Sequence, residues 1–273
     1  IFLYDQASPL IFTKFFFWAF FAVVMLVYAF IHDSLKLRSL YLFVVSLFFY
    51  YKSSGFFFLL LVVNIIINYF LGNGIYKAKK QRSKKIYLII SVFVNLFILS
   101  YFKYTFFFVN AVNTMFGTDF VAYNYLAEFS NLLTGTHFDT MKIFLPVGIS
   151  FFTFQTLSYT IDLYRGHVQP VKNIIDFGFF VSFFPQLVAG PIVRASEFIP
   201  QIYKKYSLTR YEFGMALFMI LKGLVKKIVI GDYIAVNFID RIYANPEMYT
   251  GFESLMSMIA YSLQVYVDFS GYT

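Results

Sequence analysis

The chain has 273 residues, of which 60% are hydrophobic, 23% aromatic and only 13% charged, with a formal net charge of +8. Soluble domains carry about 25% charged and about 45–50% apolar residues, so this composition indicates a polytopic membrane protein. The absence of cysteine excludes disulfides, a thiolate nucleophile and cysteine-ligated metal centres. The positive charge does not by itself indicate a nucleic-acid partner, because Lys and Arg collect in cytoplasmic loops of membrane proteins. We therefore expect no nucleic-acid partner.

The N-terminal part is predicted to contain a span followed by a hairpin. Residues 12–31 supply about the 20 apolar residues that cross a ~30 Å hydrocarbon core, and no signal-peptide cleavage site follows them. Two shorter apolar arms, 40–51 and 56–71, flank the break Lys52-Ser-Ser-Gly55, which predicts an out-and-back hairpin. The first arm covers about 18 Å, so we expect it to penetrate partway or to lie in thinned bilayer.

A dense basic cluster follows the hairpin and consists of Lys77, Lys79, Lys80, Arg82, Lys84 and Lys85. It predicts a cytoplasmic loop, and the alternative is a site for the headgroups of anionic lipids. Residues 86–108 then cross outward, and the stretch 104–141 contains no Lys or Arg, as expected of an external segment. Its polar part, 117–140, is predicted to be a loop with a short surface helix.

The next segments predict a return to the cytoplasm and a break inside the membrane. Residues 143–164 run inward and deliver Arg165. The apolar run 174–193 has basic residues on both flanks and contains three helix breakers, Pro185, Gly190 and Pro191. We interpret it as a re-entrant element that enters from the cytoplasm. Non-helical backbone at such depth is tolerated only where it is buried in protein or lines a cavity, so the break predicts a cavity.

The C-terminal part is predicted to contain an interfacial helix and a last span. Residues 211–221 are apolar, and the lysines that follow them are expected to reach back to the interface. Residues 252–269 form the last span. No internal repeat or linker divides the chain, which predicts a single membrane-embedded domain over 1–273. We expect it to be a fragment, because it begins without Met and ends directly after an apolar segment. Between the helix and the span, a loop is predicted to hold Asp232, Asp240, Arg241, Pro246 and Glu247.

Polar side chains form stripes on two of these helices. One stripe has i, i+3, i+4, i+7, i+10 spacing and the other i, i+4, i+7, i+11 spacing, so each follows one helix face. A lipid-facing carboxylate is unfavourable, which predicts that both stripes face one shared interior. They either line a passage or act as polar links between helices. The stripes are Gln155, Ser158, Tyr159, Asp162, Arg165 and Ser257, Tyr261, Gln264, Asp268.

Asp268 and the histidines leave several interpretations open. Asp268 either orients a catalytic group, pairs with a buried cation such as Arg194, or is purely structural. The histidines His32, His137 and His167 share no spacing with other ligands that would indicate a metal site, and polar surface is the favoured interpretation for each. No P-loop, Gly-x-Ser-x-Gly or His-Glu-x-x-His pattern occurs. Residue chemistry therefore predicts a cytoplasm-facing polar cavity in either a transporter or an enzyme.

Four stretches resemble, in the same order, signature segments of the membrane-bound O-acyltransferases. They are residues 147–166, 183–194, 222–232 and the closing Asp268-Phe-Ser-Gly-Tyr-Thr273. The similarity is to the bacterial branch of alginate O-acetylation proteins, with D-alanyl transfer to teichoic acid as a related activity. Residues 1–110 resemble the family only in hydropathy.

The resemblance implies an all-α transmembrane bundle in the bacterial cytoplasmic membrane, with short, broken and re-entrant helices around a central funnel. Through the funnel, an acyl group, acetyl by preference, passes from a cytoplasmic thioester donor, acetyl-CoA or an acyl carrier protein, towards hydroxyls of an extracytoplasmic polysaccharide. A periplasmic or extracellular partner acyltransferase is implied, without a bound cofactor. The essential histidine of the family lies in a Trp-flanked stretch beyond the 268–273 motif, so no residue here receives that role and this chain alone is expected to be inactive.

The resemblance and the polar stripes together give the candidates for lining the funnel. We expect three of them, Gln155, Asp162 and Asp268, to orient groups in it, and the backbone of 185–191 to shape its floor. The alternatives are a multi-pass transporter of a lipid-linked or small anionic substrate and a structural scaffold, although no inverted repeat supports the transporter. The full candidate set is Gln155, Tyr159, Asp162, Arg165, Pro185, Gln186, Gly190, Pro191, Arg194, Gln264 and Asp268.

Overall fold

The computed structural model describes residues 10, 14–134, 139–143, 145–187 and 190–272, so His137 lies outside the described residues. The described residues contain helices and no strand, which confirms the all-α prediction. They divide into two compact units, residues 10, 21–187 and 192–204 and residues 14–20, 190–191 and 205–272, which we describe separately. The α-helices are α1 (Phe15–Ile31), α2 (Leu35–Ser54), α3 (Phe58–Lys77), α4 (Gln81–Phe116), α5 (Tyr125–Thr134), α6 (Ile149–Arg165), α7 (Ile174–Ser182), α8 (Phe184–Leu187), α9 (Ala195–Ile202), α10 (Arg210–Leu224), α11 (Asp240–Ala244) and α12 (Gly251–Tyr272).

The predicted hairpin is confirmed, but its arms are longer than the sequence indicated. Gly55 has a φ of 60° and ends α2, and a 3₁₀ turn leads into α3. Each arm has 20 residues, about 30 Å at 1.5 Å per residue. The predicted length of the first arm, 12 residues, is therefore wrong, while its depth in a membrane stays a prediction. Helix α2 continues at both ends through polar residues, because Arg38 and Ser53 find hydrogen-bond partners inside the protein.

Helix α6 packs along α3 and meets α2 near the end of that helix. Its start meets the end of α2, where the Val147 amide donates to Ser54 Oγ at 3.2 Å. Further along α6, Thr156 Oγ1 donates to Asn64 Oδ1 of α3 at 3.2 Å. A Cβ at Gly72, two turns later on α3, would lie only 2.9 Å from the Tyr159 ring. Helix α6 therefore runs parallel to α3 and antiparallel to α2.

Helix α4 packs antiparallel to α3 and is much longer than the predicted crossing over 86–108. It has 36 residues, about 54 Å of helix. Phe57 and Phe102 meet at one end with ring centroids 6.0 Å apart, while Gly74 meets Tyr87 at the other. The short helix predicted within 117–140 is confirmed as α5.

The chain between α6 and α10 goes into the bundle and comes back. Helix α7 enters along α2, and the Phe184 amide at its far end donates to Ser46 Oγ at 3.2 Å. Helix α9 returns along α7, with Phe198 packed 5.6 Å from the Phe180 ring. The Lys172 amide then donates to Tyr203 Oη at 3.2 Å, so the excursion ends where it began. This confirms the re-entrant path, while its depth in a membrane stays a prediction.

Most basic residues of the first unit, although not Lys52, Lys103, Lys142 and Arg194, collect at the end where this excursion begins. Arg38 at the start of α2 donates to the carbonyls of Ile202 and Lys204, which end α9. Gln81 at the start of α4 donates to Tyr164 Oη at the end of α6, at 3.0 Å. Such clustering is what the positive-inside rule expects of a cytoplasmic face. The basic residues at this end are Lys36, Arg38, Lys77, Lys79, Lys80, Arg82, Lys84, Lys85, Arg165, Lys172 and Lys204.

The second unit contains one continuous helix from Arg210 to Ala244, in which α10 and α11 are joined by the π-helical segments Val225–Asp232 and Ala235–Ile239. The predicted loop around Asp232, Asp240 and Arg241 is therefore wrong. The sequence offers no strong helix breaker before Asn245-Pro246, so the helix continues. A capping box of Thr209 and Glu212 starts it. The predicted last span corresponds to α12 of 22 residues.

Two helical stretches in the described part of the chain are long and apolar enough to cross a membrane by length and composition, Leu35–Lys77 and Gln81–Phe116. The first is interrupted at Gly55 and contains both hairpin arms. Helix α1 is apolar but shorter, with 17 residues. These features are consistent with a helical membrane protein.

Candidate functional site

The break in the re-entrant element is built around the backbone carbonyl of Phe180. In an unbroken helix this carbonyl would accept from the amide of residue 184. Here α7 ends at Ser182 and the Phe184 amide is held by Ser46. The freed carbonyl instead accepts from Gln155 Nε2 at 2.7 Å and Gln186 Nε2 at 3.1 Å. Two predicted site residues therefore hold the break open by satisfying its backbone, as a broken helix in an apolar setting requires.

The polar stripe of α6 changes character along its length. Gln155 and Tyr159 are 2% and 1% exposed, and the Tyr159 hydroxyl accepts from the Val171 amide at 3.2 Å. These two residues serve as polar links between elements, which was one of the two alternatives. Asp162 is 15% exposed and lies 3.8 Å from His167 Nδ1, while Arg165 is exposed at the helix end. Lining of a funnel by this stripe stays a prediction.

A buried carboxylate, which the sequence analysis missed, links the beginning and the end of the re-entrant element. Asp176 is 6% exposed and accepts from Tyr203 Oη at 3.0 Å and from Asn173 Nδ2 at 2.9 Å. The Lys172 ammonium group lies 4.5 Å from the centre of the Tyr203 ring. Burial raises the pKa of Tyr203, and the carboxylate of Asp176 raises it further. The hydroxyl therefore remains a donor to Asp176 at neutral pH.

The remaining candidates of this stretch lie at or near the turn. Gly190 has a φ of 110°, a conformation that favours glycine, and is buried, whereas Pro185 and Pro191 are exposed. Arg194 is exposed and is the N-cap residue of α9. These positions shape the backbone of the turn, and whether they face a funnel stays a prediction.

In the second unit, Asp268 lies in a cluster of charged residues from two helices. Lys227 Nζ is 2.5 Å from Asp268 Oδ1 and 2.9 Å from Asp232 Oδ1. Asp268 therefore pairs with a partly buried cation, which is Lys227 of the same unit, while the suggested pairing with Arg194 stays a prediction. The prediction that Lys227 reaches back to an interface is wrong, because its side chain is only 20% exposed. Gln264, one turn earlier on α12, is half-buried.

The π-helical segment Val225–Asp232 brings Lys227 to this position, next to a close helix crossing. A Cβ at Gly223 would overlap the carbonyl oxygen of Gly271, and a Cβ at Gly271 would lie 3.1 Å from the carbonyl of Gly223. π-Helical turns occur frequently at functional sites. This crossing joins the two motif stretches 222–232 and 268–273, which the sequence analysis found separately.

A buried cluster of side-chain amides and hydroxyls joins α3, α4 and α6, and the sequence analysis missed it. Asn64 Nδ2 donates to Asn95 Oδ1 at 2.8 Å, and Asn95 Nδ2 donates to Asn68 Oδ1 at 2.8 Å. The signal was present, because each helix contributes two polar residues four positions apart, which places them on one face. We call these six residues the amide cluster: Asn64, Asn68, Ser91, Asn95, Thr156 and Thr160.

The histidines form no recognisable centre in the described part of the chain, where no group of three or more His, Asp and Glu side chains is placed to hold a metal. His32 Nδ1 lies 3.3 Å from Asp33, and His167 neighbours Asp162 as described above. Neither arrangement assigns a catalytic role.

Comparison with known proteins identifies the relatives of the chain. It is 33% identical over 260 residues to the peptidoglycan O-acetyltransferase of Helicobacter pylori, covering 86% of this chain and 46% of that protein. It is 36% identical over 213 residues to the probable alginate O-acetylase AlgI of Pseudomonas aeruginosa, covering 76% and 37%. The teichoic acid D-alanyltransferase of Bacillus subtilis is 29% identical over 132 residues, covering 46% and 32%. No family model matches the chain.

The first two similarities extend over most of this chain and confirm the resemblance carried by the four motif stretches. The chain belongs to the membrane-bound O-acyltransferases. Within that family it falls in the branch of the alginate O-acetylases, to which the teichoic acid D-alanyltransferases are related. The chain spans less than half the length of these curated relatives.

Proposed function

We propose that the protein containing this chain is an O-acyltransferase of the bacterial cytoplasmic membrane, which acylates hydroxyls of a cell-envelope polysaccharide. The observation that carries the proposal is the identity of 33% to a peptidoglycan O-acetyltransferase over 86% of the chain. The re-entrant element and the end of the first unit where most of its basic residues collect support it, since both suit a protein that takes a substrate from the cytoplasm.

The reaction follows from the chemistry of the two substrates. A hydroxyl oxygen of the glycan attacks the carbonyl carbon of a thioester, the C–S bond breaks, and the thiol leaves with the proton that the hydroxyl gives up. Acetyl-CoA or an acyl carrier protein supplies the thioester. A general base with a pKa near neutrality assists the attack, and the resemblance assigns this role to a histidine located after the Asp268 motif. Where a partner acyltransferase outside the membrane takes part, its own nucleophile takes the place of the glycan hydroxyl in this step, and the acyl group then passes from the partner to the glycan hydroxyl.

In this reaction, the residues of the present chain form the walls of the funnel and do not contact the reacting atoms. The Phe180 carbonyl with Gln155 and Gln186 keeps the re-entrant turn broken, and Asp162 lies at the basic end of the same helix. Asp268 fixes α12 against Lys227 at the point where the chain leads towards the proposed histidine. We infer that these groups orient the elements that form the walls of the funnel.

The experiment measures alkali-labile acetyl and D-alanyl esters on peptidoglycan, exopolysaccharide and teichoic acid from cells that lack the gene or carry the full-length gene. Asp268→Asn and Asp162→Asn are expected to lower ester content, while Asp119→Asn, at an exposed site beyond α4, leaves it unchanged. Unaltered esters in both of the first two variants would refute the roles given to these aspartates. The transporter interpretation would be favoured over the acyltransferase by two results together: no gene-dependent esters on any of these glycans, and gene-dependent movement of a substrate across vesicle membranes.

A further inference from the structure

Helix α4 carries a long apolar groove that none of the features above uses. The groove has a volume of 760 Å³ and its lining residues all lie on α4 between Leu88 and Val109. They form two neighbouring rows with a spacing of four residues, which is the geometry of a groove between two ridges of a helix surface. The rows are Leu88, Val92, Leu96, Ser100, Phe108 and Ile89, Phe93, Phe97, Tyr101, Thr105, Val109.

Both rows lead directly into the basic cluster. One turn before Leu88 and Ile89, the same rows are occupied by Lys84 and Lys85. Lys85 is exposed and Lys84 half-buried, and no acidic side chain of the described residues pairs with either. Positive charge without an internal partner therefore lies at the mouth of an apolar channel.

From this juxtaposition we propose that the groove and the Lys84–Lys85 pair form a binding site for a phospholipid with an anionic headgroup. The lysines hold the phosphate, and an acyl chain lies between the rows. One leaflet of a ~30 Å hydrocarbon core reaches about 15 Å deep, which corresponds to about ten residues of helix. The acyl chain then occupies the groove from Leu88 to Phe97, where the stacked rings of Phe93 and Phe97 lie 6.0 Å apart.

The inference rests on the membrane location in the proposed function but not on acyl transfer, because lipid binding is measured without turnover. The full-length protein is purified in detergent, and the number of bound phosphatidylglycerol and phosphatidylcholine molecules is determined by native mass spectrometry. Phosphatidylglycerol is expected to bind preferentially. The double variant Lys84→Gln/Lys85→Gln is expected to weaken its binding about 30-fold, since each basic residue contributes roughly fivefold at an anionic surface. Lys204→Gln/Lys205→Gln is the matched control and is expected to have little effect.

A second pair of variants tests the groove itself. Phe93 and Phe107 lie on the same helix and are 66% and 67% exposed, but only Phe93 lines the groove. Phe93→Ala is expected to shorten retention of phosphatidylglycerol, whereas Phe107→Ala leaves it unchanged. Equal binding of the two lipids, or equal losses in both lysine pairs, would overturn the headgroup site. Equal behaviour of the two phenylalanine variants would overturn the groove as its extension and would indicate that another part of the protein covers it.

Discussion

Lys227 Nζ lies 2.5 Å from Asp268 Oδ1, and this pair ties the last helix to the π-helical segment of the long helix before it. The same ammonium group also contacts Asp232 at the end of that segment. The cluster carries two carboxylates and one ammonium group, so the lysine cannot be removed without leaving two like charges in close proximity. The pair is therefore expected to hold the helix crossing at Gly223 and Gly271 together.

Replacing Lys227 with Met is expected to lower the free energy of unfolding by about 1–3 kcal/mol, less than a fully buried pair because the carboxylates are partly exposed. Lys226→Met is the control, since among the described residues the Lys226 side chain donates only to Ser270, at 3.3 Å, and its effect is expected to remain below about 0.5 kcal/mol. Thermal unfolding in detergent measures both. Adding Asp268→Asn to Lys227→Met is expected to restore part of the loss, and a further loss in that double variant would contradict the charge argument.

Gly223→Ala is expected to destabilise the second unit by about 1–3 kcal/mol, because the new methyl group overlaps the Gly271 carbonyl and forces the helices apart. Gly214 lies on the same helix with nothing within 4 Å of a Cβ at that position. Gly214→Ala is therefore expected to stabilise the protein by roughly 0.5–1 kcal/mol through its helix propensity. Opposite signs for the two variants in thermal unfolding check the crossing, and stabilisation by Gly223→Ala would rule it out.

Asn95→Leu is expected to lower the free energy of unfolding by about 1–3 kcal/mol, because it leaves the buried Asn64 amide without its acceptor. Asn110→Leu, at an exposed position of the same helix, serves as the control and is expected to have little effect. Unfolding by denaturant in mixed micelles gives both values. If the two variants lose the same stability, the amide cluster does not hold α3 and α4 together.

Single-cysteine labelling tests the proposed orientation, because this chain contains no cysteine. Any cysteine elsewhere in the protein is first changed to Ser. Lys80→Cys is expected to react with a membrane-impermeant maleimide only in inverted vesicles, since it lies at the basic end of the first unit. Asp119→Cys, beyond the other end of α4, is expected to react only in intact cells or right-side-out vesicles. Labelling of both from the same side would contradict a crossing by α4.

The path of the chain was predicted well where strong helix breakers mark its turns. Gly55 marked the hairpin, and Pro185 with Gly190 marked the re-entrant turn, because these residues change backbone geometry locally. Helix lengths were predicted less well, since polar residues such as Arg38 continue a helix when a distant carbonyl accepts their hydrogen bonds. Hydropathy alone cannot reveal such a partner.

The partners of individual polar residues were harder to predict than their presence. Asp268 was identified as a candidate, but its partner Lys227 is 41 positions away and reaches it only through π-helical geometry that no propensity indicates. The residues of the amide cluster have a clear spacing in each helix. Small polar residues are common in apolar helices, however, so the three pairs do not by themselves predict that they contact one another. Only the relative placement of α3, α4 and α6 brings them together.

The amide cluster also bears on how the protein is made. Chains are synthesised from the N-terminus, so α3 and α4 are available before α6. Within the pair of α3 and α4, Asn64 and Asn68 already find partners in Asn95 and Ser91. On α6, Thr156 donates to the carbonyl of Phe152 in its own helix at 2.7 Å. The α3–α4 pair and α6 can therefore each enter an apolar environment with the hydrogen bonds of their amide-cluster side chains already formed. The packing of α6 against α3 and α4 is then a docking step between preformed helices.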